Sequence, residues 1–529
     1  MTRRFTIASQ TLLLAALVLA IASAQTYGQS AAAAFDACVG DCDGNGQVTV
    51  EELVAGVNIA LDSLPLDTCP GFDSDDDGRV SIDEIVRAVG YALNRCPVKA
   101  TPTFTATEAV LTETPTATAT ATVPPLPTPT ETPIPTVPVH FCDLPGSVQT
   151  TANGLVVIPG GPASAPDLRF LHLPVGFCAH FFANIGNTRQ LRFAPGGELF
   201  VASPTAVTTG GGPRGLRSIM VLPDDDHDGV ADTPLTFMSG LPSTQGLLFT
   251  GGFLYYQRGT KIMRVPYATG DRTPSGSSEQ VADITIYSSQ LHWPKTLDVA
   301  DDGTIYVGNG GEQGETCTIM HPFRGGILKL DGSPGGTPVA KGFRNPISVR
   351  CSRGHNLCFA VELARDYSAT QDGREKLVPI RPGDDWGHPC CATKDVPYPD
   401  IAPVPNCSAV ASENNSFVIG HTPFDLDFET GQWPAPWNQR VYVPLHGAYG
   451  TWDGARVVAI ELDPATGQLL PGSDLGGESS GSMLDFATGW AGGPLLHGRP
   501  AVVAFASDGR LFLGNDNNGD IIWIAPMGL

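Results

Sequence analysis

Six times between Leu191 and Leu513 the chain repeats one pattern: alternating apolar residues, a Gly or Asp turn, then a second alternating apolar run. The first copy is Leu191-Arg192-Phe193-Ala194-Pro195-Gly196-Gly197-Glu198-Leu199-Phe200-Val201. The others run from Gly246 to Tyr256, Thr296 to Val307 around Asp302-Gly303, and Ile347 to Val361 around Arg353-Gly354. The last two run from Phe424 to Val443 around Thr430-Gly431 and from Val502 to Leu513 around Asp508-Gly509. Period-two alternation places apolar side chains on one face, and the turn reverses the chain, so each copy predicts a β-hairpin. Hairpins recurring every 50 to 80 residues or so predict propeller blades with inserted loops. Six copies predict an all-β, six-bladed β-propeller over residues 141–529. A β-sandwich is the alternative, but it has no need of one hairpin repeated six times. The 61 glycines and 46 prolines among 529 residues suit such a turn-rich fold.

The N-terminal third reads differently. Arg3 and Arg4 precede an apolar run, Leu12 to Ile21, which is short for a bilayer span. Ala22-Ser23-Ala24 then offers a small-residue cleavage site, so residues 1–24 are expected to be a signal peptide and the protein to be secreted, extracellular or periplasmic. The alternative is an uncleaved anchor. Residues 98–139 are mostly Thr, Pro and Ala, with runs such as Pro124-Pro125-Leu126-Pro127. They cannot bury a core and are expected to form a disordered, semi-stiff spacer.

Residues 36–97 carry two loops of one design. Asp41, Asp43 and Asn45 supply side-chain oxygens at positions 1, 3 and 5 of a twelve-residue calcium loop. Gly46 allows the sharp turn, Gln47 offers its carbonyl, Thr49 takes the water-bridged position, and Glu52 closes the shell with two oxygens. Asp73, Asp75, Asp77, Gly78, Arg79, Ser81 and Glu84 repeat the set, with Arg79 offering its carbonyl. Val48 and Val80 fill the apolar eighth positions, and an amphipathic helix follows each loop. A small α-helical, EF-hand-like calcium-binding pair is predicted, in a loop-then-helix order that resembles dockerin modules and so suggests a protein partner. A bare Asp-rich turn is the alternative. Asp224, Asp226, Asp228 and Asp232 form a third acidic loop that lacks the closing Glu, since Leu235 stands at position 12. It reads equally as a calcium loop or a surface turn.

Charge and cysteines narrow the partners. Lys and Arg number 31 against 54 Asp and Glu, a net charge of −23 that repels phosphate backbones and argues against nucleic acid. Twelve cysteines in an exported chain are expected to be mostly paired, with connectivity open. None combines with His at zinc-finger spacing. No later segment is long and apolar enough to span a membrane.

From Leu191 to Ile524 the chain resembles the glucose/sorbosone dehydrogenase family, six-bladed propellers that include soluble quinoprotein sugar dehydrogenases. Four stretches carry the resemblance. The first is Gln290-Leu291-His292-Trp293-Pro294-Lys295-Thr296-Leu297 with Asp302-Gly303-Thr304-Ile305-Tyr306-Val307. The second is Gly342-Phe343-Arg344-Asn345-Pro346. Third come Glu362, Arg374-Glu375-Lys376-Leu377 and Gly383-Asp384-Asp385-Trp386-Gly387-His388-Pro389. The fourth joins His446-Gly447 to Gly498-Arg499-Pro500 and the run from Asp516 to Ile521.

The resemblance implies a sugar or aldehyde dehydrogenase in which His292 removes the substrate proton and pyrroloquinoline quinone accepts hydride. Histidine suits a base near neutral pH. It further implies that Arg344 polarises the quinone or orients the sugar, supported by Asn345, with calcium beside the quinone. His446 and Arg344 would contact the cofactor. Many relatives follow His-Gly with Ser-Trp-Asn-Arg, whose Arg meets the cofactor carboxylates; here Ala448-Tyr449-Gly450-Thr451-Trp452-Asp453 follows, and Arg456 is the nearest substitute. A tricarboxylate with fewer cationic partners binds more weakly. The competing reading is a non-catalytic propeller that binds carbohydrate or protein, with the EF-hand pair as docking module.

Overall fold

The structure, a computed structural model, describes residues 39–42, 48–60, 64–73, 80–94, 140–186, 188–203, 217–284, 292, 294–311, 317, 325–365, 373–448, 451–491 and 497–529. The signal-peptide and spacer expectations lie outside the described residues, as do Asp43, Asn45, Gln47, Asp75, Asp77 and Arg79. The chain divides into two units, residues 1–129 and 130–529.

The first unit holds helices α1 (Val50–Ala60) and α2 (Ile82–Asn94). Each starts on a reciprocal cap, which satisfies amides that no helical carbonyl reaches. Glu52 accepts from the Thr49 amide at 2.7 Å, and the Glu52 amide donates to Thr49 Oγ1. Glu84 accepts from the Ser81 amide at 2.8 Å, and the Glu84 amide donates to Ser81 Oγ. Val48 and Val80 are buried in one core with Val39, Ile59, Phe72 and Ala88, and Cys42 is bonded to Cys69. Phe72 is fully buried, and a side chain at Gly56 would collide with its ring.

The second unit is a six-bladed β-propeller. Blade one is Gln190–Phe193, Leu199–Ser203, Ser218–Leu222 and Leu235–Met238. Blade two begins with Leu247–Thr250 and Phe253–Arg258, blade three with Leu297–Val299 and Ile305–Asn309. Blade four begins with Asn345–Ser352 and Leu357–Leu363, and blade five with Asp427–Phe428 and Arg440–Leu445. Blade six is Arg499–Phe505, Leu511–Asp516 and Asp520–Pro526, completed by the much earlier strand Phe177–Asn184. Every hairpin predicted from sequence is thus the inner pair of a blade. The hairpin Val148–Thr151 and Gly154–Val157 widens blade six on its outer edge. Cys142–Cys178 fastens the start of this segment.

Where the inner strands converge, buried ionic contacts join them beside apolar side chains such as Leu191, Ile347 and Val502. Arg192 donates to the carbonyls of Leu247 and Leu297 and lies 3.3 Å from Asp298. Arg350, almost fully buried, donates to the Leu426 carbonyl and pairs with Asp425 at 3.1 Å. Asp425 also accepts from Ser348 and from the Val503 amide. Burial, with the neighbouring Arg350 charge, lowers the Arg192 guanidinium pKa, and burial raises that of Asp427. These groups join inner strands of all six blades.

Blade four carries an insert between Arg374–Pro379 and Asn415–Val418. It holds a small pair, Cys391–Thr393 with Val396–Pro397, and the disulfides Cys391–Cys407 and Cys317–Cys390. Cys351–Cys358 links the two inner strands of the same blade. Every described cysteine is paired; Cys38 and Cys96 lie outside the described residues.

Candidate functional site

Strand direction alternates within a blade, so two kinds of connection share one end of the propeller. These are the loops that enter each inner strand and the loops that follow each second strand. His292 and Lys295 enter blade three, and Gly311 follows its second strand. Arg344 and Asn345 enter blade four, and Ala364 follows its second strand. Arg189 enters blade one, while His446 and Asp516 end second strands and Arg456 and Arg499 begin strands at this end. Candidate residues from distant positions therefore share one face because blade topology puts them there.

His292 is buried, and its Nδ1 lies 2.6 Å from the Gly311 carbonyl oxygen. A carbonyl only accepts, so Nδ1 carries a proton, and this contact selects the tautomer whose second nitrogen, Nε2, is the basic one. The Gly311 amide donates to the Arg344 carbonyl at 2.7 Å. One residue, Gly311, thus ties the entry of blade three to that of blade four. The neighbouring Gly310 admits no side chain, because a Cβ there would run into His292 Cβ and press on Asn345 Oδ1.

Arg344 is half-buried and held through both its backbone and its side chain. Its amide donates to Glu362 Oε1 at 2.9 Å, and Nη1 donates to the Ala364 carbonyl at 2.8 Å. Asn345 is 4% exposed, and its Oδ1 is buried with no hydrogen-bond donor. Arg189 Nε, Gln190 Nε2 and Gln245 Oε1 at the same face are likewise buried without partners. Unmatched polar atoms are rare in folded interiors, and their gathering at one face marks where a polar ligand can complete them.

The other expected contacts are held in pairs. His446 Nε2 lies 3.2 Å from Asp516, which also meets Arg189 at 3.1 Å. Burial, then the charge of Arg499, lowers the His446 pKa to about 3. Burial pushes Asp516 upward, but Arg189 and His446 outweigh it and leave the carboxyl well below its usual range. Arg456 binds Asp474 at 2.9 Å and Asp485 at 2.7 Å, so its guanidinium is committed to protein carboxylates. Arg499 donates to the carbonyls of His446 and Gly447.

Sequence reasoning missed Lys295, which is fully buried at the entry of blade three, where burial lowers its pKa to about 7. A charged residue inside an apolar strand start was the available signal. Among the described calcium-loop residues, Glu52 and Glu84 cap helices as given above, and the Glu52 carboxylate also accepts from the Cys42 amide at 2.8 Å. Asp224, Asp226 and Asp228 present carboxylate oxygens within 4.8 Å of one another, on the opposite end of blade one from His292.

The donor set suits part of a pyrroloquinoline quinone. The guanidinium of Arg344 and the Gln190 Nε2 amide can donate to carbonyl oxygens, and Asn345 Oδ1 and Gln245 Oε1 can accept from a hydroxyl, whereas Arg189, Arg456 and Arg499 are bound to protein groups, leaving the three carboxylates fewer cations than the resemblance implies.

No family model matches the sequence, and no curated protein matches it. Solved structures do. A Trichoderma reesei protein of carbohydrate-active enzyme family AA12 superposes with a TM-score of 0.55 at 16% identity, covering 67% of this chain and 97% of that one. The holo form of the pyranose dehydrogenase PQQ domain from Coprinopsis cinerea gives 0.55 at 16% identity, covering 69% and 98%. At this identity the likeness is one of fold: the chain carries a six-bladed propeller built like the PQQ domain of pyranose dehydrogenase.

Proposed function

We propose that the propeller is a quinoprotein-type dehydrogenase acting on a sugar or related aldehyde, with its site on the face that holds His292 and Arg344. The observation that carries this reading is the His292 ring, whose Nδ1 is fixed on the Gly311 carbonyl beside the entry of Arg344. His292 Nε2 accepts the hydroxyl proton of the substrate as its C–H bond gives up hydride, leaving a carbonyl product. When bound, pyrroloquinoline quinone supplies the hydride acceptor. Arg344 and Asn345 orient the oxygen atoms of substrate and quinone. The fold shared with the pyranose dehydrogenase PQQ domain supports this reading.

The residue set 36–97 is proposed as a calcium-binding, dockerin-like module that tethers the propeller, and the apolar run at residues 12–21 supports export. Among the described residues no helix is long and apolar enough to cross a membrane.

The test is reconstitution of the full chain with pyrroloquinoline quinone and calcium, followed by dye reduction on a panel of sugars and aldehydes. Turnover that needs the quinone supports the dehydrogenase. A second reading, a propeller that binds carbohydrate or protein without catalysis, is favoured by the commitment of Arg456 to Asp474 and Asp485. Absence of both quinone binding and dye reduction would decide for it.

A further inference from the structure

Glu362 and Lys376 form an ion pair of 3.4 Å in which each side chain is 2% exposed. They face each other on adjacent strands, in register. Glu362 Oε1 accepts the Arg344 amide at 2.9 Å. Lys376 Nζ donates to the Trp386 carbonyl at 3.0 Å, and Trp386 belongs to the blade-four insert. The insert therefore reaches the Arg344 backbone through two buried charges.

A second set of contacts runs to the same place. The Trp386 amide donates to the Lys341 carbonyl at 2.9 Å, and the His388 amide to the Gly342 carbonyl at 2.9 Å. A side chain at Gly342 would collide with Asp385 and the amides of Trp386 and Gly387, so the insert lies directly on the residues preceding Arg344. On the far side, Arg365 pairs with Asp400 at 2.7 Å and lies over the Tyr398 ring at 4.2 Å. Arg365 follows Ala364, whose carbonyl receives the Arg344 guanidinium. The insert is itself tied by Cys317–Cys390 to the connection that follows Gly311.

A buried ion pair is weak evidence of stability, since its desolvation offsets its attraction, and its better attested use is to specify one arrangement. We propose that the Glu362–Lys376 pair is the positioning element for Arg344, and that the insert sets the geometry of the site through it. The inference deepens the dehydrogenase reading and rests on it for its catalytic meaning, while the positional claim concerns the protein alone. Loss of the pair frees Glu362 from Lys376, and the Arg344 amide and guanidinium shift together because both are held by the strand that carries Glu362.

The test uses the full chain and two variants, Lys376→Met and the neutral pair Glu362→Gln/Lys376→Met, the second avoiding a lone buried carboxylate. Phenylglyoxal modification of Arg344, followed by mass spectrometry, reads its release without any need for activity. The neutral pair should modify Arg344 about tenfold faster than wild type, the worth of one hydrogen bond to a charged group. Buried Arg350 serves as an internal control and should stay protected. Quinone titration and dye reduction should then show a raised KM or dissociation constant with a smaller change in kcat. An Arg344 rate within about twofold of wild type in a variant that still melts cooperatively would overturn the proposal. If wild type neither binds quinone nor oxidises sugars, the dehydrogenase reading fails, and the modification rates still decide whether the pair positions Arg344.

Discussion

His292 Nδ1 and the Gly311 carbonyl oxygen stand 2.6 Å apart, and that contact decides which ring nitrogen can serve as a base. Replacing His292 with Ala should lower turnover by about a hundredfold or more, the usual worth of a positioned general base. Quinone affinity, measured by fluorescence, should change little. Equal losses in both would place His292 in cofactor binding instead.

Gly310 offers a finer test of the same contact. Gly310→Ala places a methyl group against His292 Cβ and Asn345 Oδ1. The ring should be pushed off the Gly311 carbonyl, with a fall of about a hundredfold in kcat/KM, since misplacement by about 1 Å costs that much. Thermal melting separates this from unfolding: a large activity loss with a cooperative transition is the expected result.

Acid should destabilise the propeller partly through His446. Its folded pKa of about 3 lies below the ordinary value of 6.5, so between those limits the unfolded chain binds a proton that the folded chain refuses. Stability contributed by the neutral ring is therefore present above 6.5 and is lost as pH falls toward 3. The slope is about 1.4 kcal/mol per pH unit for one proton. Asp516, also depressed, adds loss in the same direction below its ordinary range. His446→Gln should remove about one proton from the pH dependence of denaturant unfolding between pH 6 and 4, and an unchanged slope would refute the assignment.

The ions at the converging inner strands should be costly to break singly. Arg350→Met leaves Asp425 buried without its charge partner and should cost about 3–5 kcal/mol by denaturant titration. The double variant Arg350→Met/Asp425→Asn should recover much of that, because no lone charge remains. Additive losses would mean that the two residues are not coupled.

Calcium should bind the N-terminal unit through Glu52 and Glu84, which in the structure accept helix-start amides. Calorimetric titration of the full chain should show two sites, and Glu52→Gln or Glu84→Gln should each weaken one of them by about tenfold or more, as loss of a bidentate carboxylate requires. No heat in wild type would end the calcium reading of this unit.

The inner half of each blade was legible because a two-residue alternation across a Gly turn is a local signal. Outer strands were not. Leu235–Met238, Glu279–Asp283 and Thr337–Lys341 expose much of their length, so no apolar rhythm marks them. At the site, His292, Arg344 and Asn345 could be named from sequence because their side chains carry the chemistry. The groups that hold two of them are the carbonyls of Gly311 and Ala364, and a backbone carbonyl has no letter of its own. Lys376 lies within the run Arg374-Glu375-Lys376-Leu377, and nothing local in the sequence announces that it meets Glu362 from the neighbouring strand. Arg192 and Arg350 looked like ordinary strand residues, and only the convergence of six inner strands makes them ionic partners of Asp298 and Asp425.

Phe177–Asn184 pairs with Asp520–Pro526, so the first long strand of the propeller waits for the last. No shorter nascent chain contains a shut ring. Until residue 526 has emerged, Phe177–Asn184 is paired on one edge alone, with Val148–Thr151, and every earlier blade stands in an open arc. A cut within Asp520–Pro526 therefore does more than shorten one strand: it removes the pairing that closes the ring of blades.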